Sequence, residues 1–193
     1  MSSYNAKDRH FKFNLDSSDY DTMMDIVDEL SSKTRKYRGN TLKGWNQNPN
    51  TVLNAMTKMA FHETGGTLNP KQEQLKGKEG QEGMGLFQYE RGEGQGANTA
   101  IKRTKNYFKG TGRDIPSWLE NFDGKNLYDV SQLTPSQQYT LFLGDKAMDK
   151  TAHMRNIHEK DGVKNFWAKE HWAGPADELK ERLNRFDANM GVY

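Results

Sequence analysis

A chain of 193 residues fits one compact domain, and its 33% hydrophobic and 11% aromatic content predicts a thin core filled by bulky rings. The absence of cysteine excludes disulfides, thiolate metal sites and peptidases with a cysteine nucleophile. A formal net charge of +2 favours approach to an anionic surface but lacks the strongly basic footprint of a dedicated nucleic-acid binder.

Residues 1–16 mix charged and aromatic side chains without a helical or strand period. They lack the apolar stretch of a secretory signal, and no run of about 18 apolar residues occurs anywhere in the chain. We therefore expect a flexible arm or docking segment at the N-terminus, no signal peptide and no membrane span.

An amphipathic helix is predicted from Ser18 onward. Ser18 and Asp21 are spaced like a capping box, and apolar side chains recur at helical intervals at Tyr20, Met23, Met24, Val27 and Leu30. A basic tail, residues 33–38, precedes Gly39 and suits the negative end of a helix dipole, so we predict that it closes the helix. Residues 1–44 are expected to form an N-terminal arm and helix, able to pack on a main domain of residues 45–193.

The next predicted helix begins near Asn50 and ends with a carboxylate. Its apolar stripe continues to Glu63 and comprises Val52, Met56, Met59 and Ala60. Gly65 and Gly66 stop the helix directly afterwards. Burial and the helix dipole both disfavour a charged carboxylate at this place, so Glu63 opposes local stability and is a candidate functional residue.

Half of the eighteen glycines lie in residues 65–96, where aliphatic side chains are few. This composition predicts a polar loop region that encloses one short strand. The strand is predicted around Gly85, Leu86 and Phe87 and includes Gln88. Amide side chains and exposed backbone groups in such a loop suit a groove for a polar polymer, and sugars fit that description.

The C-terminal half carries signals for four more helical elements. They are a helix over residues 97–108 closed by Gly110, a short turn at Pro116 and Trp118, a helix that starts at Thr134 and Pro135, and a last helix through Leu179, Leu183, Phe186 and Met190. The predicted class is α+β, predominantly α-helical, with a small glycine-rich β-containing lobe.

Two segments of the chain follow each other in a characteristic order. They are Phe61-His62-Glu63-Thr64-Gly65-Gly66-Thr67-Leu68-Asn69-Pro70 and Gly83-Met84-Gly85-Leu86-Phe87-Gln88-Tyr89. The pair resembles two linked signatures of lysozyme-like lytic transglycosylases and phage tail lysozymes. That family's pattern is an apolar helix ending in Glu, a hydroxyl residue and Gly, an Asn-Pro turn, and then a Gly-Leu-apolar-Gln strand. Thr64 takes the place of the more usual Ser.

Two weaker similarities follow in the C-terminal half. The segment Gln138-Tyr139-Thr140-Leu141-Phe142 resembles a phage tail lysozyme helix that begins with Gln. The segment from Phe166 to Pro175, continuing to Arg182, Arg185 and Ala188, resembles that family's closing motif of aromatic, Pro, Arg and Ala. The resemblance covers residues 45–190 and implies a lysozyme-like fold.

The resemblance implies Glu63 as the general acid. It also implies contacts to the sugar from Thr64, Gly85, Leu86, Phe87, Gln88 and Tyr89. A glycosidic oxygen leaves poorly unless it is protonated, so a half-buried Glu that keeps its proton near neutral pH fits this role. Of the rings of Phe87 and Tyr89, we expect one to pack inward, preferably that of Phe87, and the other to stack on a sugar.

The partner of the general acid is left open by the sequence. A hydrolase needs an activated water or a second carboxylate, whereas a lytic transglycosylase lets the sugar's own 6-hydroxyl attack. The carboxylates available in the glycine-rich region are Glu73, Glu82, Glu90 and Glu93. Glu90 is favoured because it directly follows the predicted strand.

Structural interpretations compete with the functional ones. Glu63 can be a solvent-facing helix end, and Gln88 can satisfy backbone groups of its loop. Trp167 and Trp172 are expected mainly as core anchors, with a platform for a sugar ring as the alternative. The five histidines show no zinc-peptidase spacing, so we expect no metal and no other cofactor.

The expected function is cleavage of the bond between N-acetylmuramic acid and N-acetylglucosamine in peptidoglycan, by a muramidase or lytic transglycosylase of a phage virion. Such a tail or internal virion protein opens the cell wall during infection. Its expected partners are peptidoglycan strands and other virion or tail proteins, without nucleic acid. Two alternatives remain, an endolysin for host lysis and a structural virion protein that binds the wall without cutting it.

Overall fold

The computed structural model describes residues 17–73, 82–90, 96–121, 130–148, 154–171 and 176–191. The helices are α1 (Ser17–Ser31), α2 (Pro49–Glu63), α3 (Gly96–Thr111), α4 (Ser117–Glu120), α5 (Pro135–Met148), α6 (Gly162–Phe166) and α7 (Leu179–Met190). The strands are β1 (Thr34–Tyr37), β2 (Asn40–Lys43), β3 (Gly83–Met84) and β4 (Tyr89–Glu90). Single 3-10 turns occur at Val130–Gln132, Met154–Asn156 and Ala176–Glu178, and a π-helix at Trp167–His171.

Of the described residues, 65% are helical and 9% lie in strands, which confirms the predicted α+β class with a predominance of helix. The expected N-terminal arm, residues 1–16, lies outside the described part of the chain, as do Glu93 and Trp172.

Helix α5 is the central element of the core. Every residue from Gln138 to Ala147 is buried, because α1 and α3 both pack along this helix. The apolar stripe of α1 lies in the same core and comprises Met23, Ile26, Val27 and Leu30. Each such side chain contributes about 1.5–3 kcal/mol by leaving water, so α1 is held firmly to the rest of the domain.

Side-chain caps fix where two of the predicted helices begin. At the start of α2, the Asn48 side chain accepts a hydrogen bond of 2.9 Å from the backbone nitrogen of Asn50. At the start of α5, the Thr134 hydroxyl accepts from the Gln137 backbone, and the Gln137 side chain accepts from the Thr134 backbone. This reciprocal pair is a capping box. The predicted helix starts near Asn50 and at Thr134 are confirmed.

The prediction that the basic tail closes the first helix is wrong. Helix α1 ends at Ser31, and the tail forms β1, which pairs antiparallel with β2. Arg38 and Gly39 form the tight turn with φ of 48° and 75°, the left-handed conformations that a two-residue hairpin loop of the commonest type requires. Gly39 is therefore a hairpin turn residue rather than a helix stop.

Gly110 does not close α3, contrary to the prediction. The helix continues to Thr111, and the chain turns at Gly112, where φ is 74°. Gly110 is buried because the ring of Tyr37 from β1 packs directly on it, and a Cβ at this position would lie 1.9 Å from Tyr37 Cε2. The backbone nitrogen of Arg38 also donates to the Gly110 carbonyl at 2.6 Å. The glycine thus joins the hairpin to α3.

The glycine-rich region contains two short strands where one was predicted. Strands β3 and β4 pair antiparallel, with Gly83 opposite Glu90 and Met84 opposite Tyr89. Residues 85–88 form the turn between them. The predicted position of Gln88 within a strand is therefore wrong, because the chain reverses direction at that point.

Candidate active site

The Glu63 carboxyl group lies at the C-terminal end of α2 and is largely enclosed. Its side chain is 17% exposed, and the preceding turns of the helix bury Val52, Met56 and Met59. The carboxylate oxygen Oε1 accepts a hydrogen bond from the indole Nε1 of Trp167. The predicted place of Glu63 at the end of the buried stripe of this helix is confirmed.

Burial raises the pKa of Glu63 to about 7, against the opposing effects of the Trp167 hydrogen bond and the Arg182 charge. The carboxyl group also lies at the negative end of the α2 dipole, which disfavours its charged form further. Near neutral pH a large fraction of the molecules therefore carries a proton on Glu63. A carboxylic acid of this kind can donate its proton to a weakly basic oxygen.

His171 lies on another side of the same carboxyl group. Its Nε2 is 3.8 Å from Glu63 Oε1 and 2.8 Å from the carbonyl oxygen of Phe87. Burial, together with the nearby Lys146 charge, lowers the pKa of His171 to about 3, so the ring is neutral. Because the Phe87 carbonyl can only accept, Nε2 must carry the ring proton. The contact with Glu63 is thus a dipolar contact rather than an ion pair.

The two aromatic partners of Glu63 come from one short element, the π-helix Trp167–His171. π-helical turns of this kind are frequent at functional sites. The buried Lys146 of α5 donates from Nζ to the carbonyl oxygen of Glu170 at 2.8 Å, which ties the π-helix to the central helix. The Lys146 bond therefore helps to hold the rings of Trp167 and His171 beside Glu63.

A buried polar cluster lies behind this site. The Tyr89 hydroxyl donates to Asp145 Oδ2 at 3.0 Å, and Arg103 Nη1 donates to Asp145 Oδ1 at 3.0 Å. Lys146 Nζ lies 3.1 Å from Asp145 Oδ2. Asp145 thus joins β4, α3 and α5. The Tyr89 ring in turn meets the His171 ring edge-on, at 5.6 Å between centroids.

The turn between β3 and β4 is organised by a buried amide, that of Gln138. Its Oε1 accepts from the Leu86 backbone at 2.7 Å, and its Nε2 donates to the Pro70 carbonyl at 2.8 Å. Gly85 is required here, because φ is 77° and a Cβ would lie 2.4 Å from Gln138 Oε1. The sequence marks Gln138 only as part of a resemblance and does not predict this contact. The available signal was an amide that begins an otherwise apolar run.

Gln88 uses its side-chain amide within its own loop. Nε2 donates to the carbonyl oxygens of Gly85 at 2.7 Å and Gln72 at 3.1 Å. The residue adopts a left-handed conformation with φ of 47°, which these bonds help to maintain. The observed contacts match the structural interpretation of Gln88, and its contact with a sugar stays a prediction.

Thr64 is a buried cap rather than an exposed hydroxyl. Its Oγ1 donates to the Ala60 carbonyl at 2.7 Å and accepts from the Leu68 backbone at 2.9 Å. These bonds satisfy groups left unpaired at the end of α2 and fix the direction in which the chain leaves Glu63. A role of Thr64 in sugar binding stays a prediction.

The rings of Phe87 and Tyr89 both point into the protein. Phe87 is 2% exposed and stacks on Phe142 at 4.2 Å, while Tyr89 is 7% exposed. Leu86 is also fully buried. The expectation that Phe87 packs inward is confirmed. The expectation that the other ring faces outward is wrong, because the Tyr89 hydroxyl on β4 is held in the interior by its hydrogen bond to the buried Asp145.

None of the candidate second carboxylates contacts Glu63 within the described residues. Glu90 is exposed at the end of β4, Glu73 is exposed in an isolated bridge to Met84, and Glu82 is half-buried. The assignment of Glu90 as a second carboxylate stays a prediction.

His62, which precedes Glu63 on α2, holds α7 against this helix. His62 packs on Trp167 and Phe186, with ring centroids 4.5 and 4.7 Å apart, and its Nδ1 lies 3.0 Å from Nδ2 of Asn189. Burial and the charges of Arg182 and Arg185 lower the pKa of His62 to about 4. A neutral Nδ1 can therefore accept from the Asn189 amide. No pattern in the sequence predicts this contact of His62.

Over the described ranges, no group of three or more His, Asp or Glu side chains could hold a metal ion. Over the same ranges, none of the helices is long and apolar enough to cross a membrane. No protein-family model, curated protein or solved structure matches the chain. A functional proposal therefore depends on the geometry around Glu63 and on the sequence resemblance.

Proposed function

We propose that this protein cleaves the glycan strands of peptidoglycan, at the bond between N-acetylmuramic acid and N-acetylglucosamine, with Glu63 as the general acid on a lysozyme-like fold. The observation that carries the proposal is the enclosed carboxyl group of Glu63, whose pKa lies near 7. A glycosidase needs an acid that is still protonated near neutral pH, and an apolar enclosure is a known way to obtain one.

In this proposal, Glu63 transfers its proton to the glycosidic oxygen as the bond to the sugar carbon breaks. The carboxylate left behind is stabilised by the Trp167 indole, which already donates to Oε1. In a hydrolase a water molecule then completes the reaction at the sugar carbon, with or without a covalent intermediate on a second carboxylate. In a lytic transglycosylase the 6-hydroxyl of the same sugar attacks the sugar carbon, its proton passes to the Glu63 carboxylate, and an anhydro end forms.

The biological setting follows from the resemblance to phage tail lysozymes. We propose a virion-associated enzyme, in the tail or inside the capsid, that opens the cell wall locally as the genome enters. Release late in infection as an endolysin is the alternative, and the same chemistry would apply.

The proposal is tested by a zymogram on purified sacculi. The native chain should clear the sacculi, and Glu63→Gln should clear them at least about a hundredfold more slowly, since general acid catalysis commonly contributes that much. Glu120→Gln is the matched control, because it makes the same change on an exposed carboxylate of α4 that is not among the candidate second carboxylates. Equal clearing by native chain and Glu63→Gln would remove Glu63 as the acid. Tight binding of the native chain to sacculi without clearing would instead favour the non-catalytic wall-binding protein.

Mass analysis of the released fragments decides between the two reactions. Anhydro ends indicate a transglycosylase, whereas reducing ends indicate a hydrolase. In the second case, Glu90→Gln should abolish clearing if Glu90 is the second carboxylate, and unchanged clearing would exclude it.

A further inference from the structure

Lys146 of α5 is a buried ammonium group that the proposed reaction does not use. Its side chain is 6% exposed, and Nζ lies 3.1 Å from Oδ2 of Asp145, whose side chain is 4% exposed. Arg103 shares the same carboxylate through Oδ1. An enclosed charge is costly even when it is paired, so a lysine in this position is a candidate for a functional role.

The contacts of Lys146 place its charge beside His171. Nζ donates at 2.8 Å to the carbonyl oxygen of Glu170, the residue before His171. The Phe142 ring lies against both groups, with 5.6 Å from Lys146 Nζ to its centroid and 5.4 Å between its centroid and that of the His171 ring. Lys146 therefore acts on His171 in two ways, through the backbone of the π-helix and through its charge.

Glu63 and His171 are close enough to compete for one proton. Nε2 of His171 lies 3.8 Å from Glu63 Oε1 and donates its proton to the Phe87 carbonyl oxygen, 2.8 Å away. A further proton on Nδ1 would turn the ring into an imidazolium, which would form an ion pair with an ionised Glu63. Glu63 would then have no proton to give to a glycosidic oxygen. The acid therefore depends on His171 staying neutral.

Charged and titratable side chains lie around His171 on several elements. They are Glu63 and His62 on α2, Asp145 and Lys146 on α5, Tyr89 on β4, Glu170 and Lys169 on the π-helix itself, and Arg103 on α3, which is paired with Asp145. Burial and then the Lys146 charge are the main causes that lower the pKa of His171 to about 3, whereas the Phe87 bond and Asp145 oppose them. Among these groups, Lys146 acts most strongly against an imidazolium.

We propose that Lys146 is a positioning residue for Glu63: it keeps His171 neutral and in place, so that the proton for which the two groups compete stays on the carboxyl group. The bond to the Glu170 carbonyl holds the ring beside Glu63, and the ammonium charge disfavours a second positive charge next to it. The inference rests on the proposed role of Glu63 as the acid. Its main readout is where a proton lies in the free protein, which needs no substrate.

The test compares Lys146→Met with the native full chain. Methionine keeps an unbranched side chain in the core but removes the charge. Carboxyl carbon NMR follows Glu63, and imidazole nitrogen NMR follows His171. The pKa of His171 should rise above about 3 and that of Glu63 should fall below about 7, each by about 1. A direct effect of the lost cation on Glu63 would have the opposite sign, because a nearby cation lowers the pKa of a carboxyl group.

A second background separates this effect from a loosened fold, which would also let water reach both groups. In His171→Phe, adding Lys146→Met should leave the Glu63 pKa unchanged or slightly higher, since the ring that transmits the effect is gone. A fall of the same size in both backgrounds would overturn the proposal, as would an unchanged or higher Glu63 pKa in Lys146→Met alone. Lys146→Gln, which can still donate an N–H, gives the same comparison if the methionine variant does not fold.

Lys169→Met is the matched control, because the Lys169 side chain is 80% exposed on the same π-helix. It removes the same charge and should leave both pKa values as they are in the native chain. In sacculus clearing, Lys146→Met should move the upper limb of the pH–activity profile to lower pH by as much as the Glu63 pKa falls. Shifted pKa values in a chain that clears no sacculi would support the proton placement and remove the enzymatic function, whereas clearing without the shifts would do the reverse.

Discussion

Glu63 is held in an environment that disfavours its ionised form, and each neighbour acts on it in a known direction. Enclosure raises its pKa, and the C-terminal end of α2 adds to this effect. The Trp167 indole and the Arg182 charge oppose both. The result is a pKa near neutrality rather than at an extreme, which is where a general acid is most useful.

The Trp167 hydrogen bond should be measurable by removing it. In Trp167→Phe the ring volume is largely kept, but the donor to Glu63 Oε1 is lost, so the pKa of Glu63 should rise above about 7. The upper limb of the pH–activity profile should move to higher pH by the same amount. The Glu63 pKa can be followed by carboxyl carbon NMR, with Trp118→Phe on α4 as the control. A Glu63 pKa at or below its native value would show that the indole does not stabilise the carboxylate.

The raised pKa of Glu63 also predicts a cost in stability that depends on pH. The unfolded chain releases this proton near pH 4.5 and the folded chain only near pH 7, so the contribution of Glu63 to stability falls as the pH rises from about 4.5 to 7 and stays lost above it. Glu63→Gln should therefore increase the unfolding free energy at pH 8 by up to about 3 kcal/mol and change it little at pH 4. Urea unfolding at both pH values measures this. The same difference at both pH values would contradict the prediction.

At the level of secondary structure, the sequence predicts an element well where local signals agree. Helix α5 has a capping box and a continuous buried run, and α2 has a cap, a stripe and two terminal glycines. The β1–β2 hairpin was missed because its basic residues also suit a helix C-terminus and its strands carry no apolar alternation. Only its Arg38-Gly39 turn carried a hairpin signal.

The active-site geometry could be predicted only in part, because the sequence shows local patterns and not contacts between distant residues. Glu63 is marked by its own helix, so periodicity and the following glycines suffice. Its contact with Trp167 joins residues 104 positions apart, and no local pattern encodes such a pairing. The sequence did mark Trp167 as a core residue or sugar platform, and the structure adds that it is a hydrogen-bond donor to the carboxyl group.

The junction between the hairpin and α3 can be tested at Gly110. In a free helix, Gly→Ala stabilises by roughly 1 kcal/mol. Here the new methyl group would meet the Tyr37 ring, so Gly110→Ala should destabilise the protein by about 1–3 kcal/mol, as overpacking does. Urea unfolding gives the value, with the exposed Lys109→Ala as control. If the clash is the cause, adding Tyr37→Ala should make the Gly110→Ala step neutral or stabilising, and an additive loss would refute the explanation.

Over the whole molecule, one core supports both the candidate active site and the β1–β2 hairpin. Helix α5 holds the π-helix through Lys146, and it also holds Arg35 of β1 through the Ala147 carbonyl. Lys146 and Ala147 are consecutive residues of α5. Loss of packing around α5 should therefore loosen the hairpin and the Glu63 site together.

The pH dependence of global stability follows from three largely enclosed titratable groups, whose shifted pKa values act in opposite directions. The pKa values of His62 and His171 are lowered to about 4 and about 3, so the unfolded chain takes up protons below pH 6.5 that the folded chain does not. Their contribution to stability is complete above pH 6.5 and is lost as the pH falls. Glu63 acts oppositely between pH 4.5 and about 7. Because two imidazoles oppose one carboxyl group, their combined contribution to stability should rise with pH from 4.5 to 6.5 and then decline slightly.

Thermal unfolding across pH 3–8 measures how stability depends on pH. Comparing a variant with the native chain gives the contribution of the substituted group. His62→Gln should flatten the rise between about pH 4 and 6.5, whatever its effect on the absolute melting temperature, because only the slope reports proton uptake. Exposed His158→Gln is the control and should leave the slope unchanged. An unaltered slope in His62→Gln would mean that this imidazole titrates alike in both states, and that it is therefore not held neutral between α2 and α7.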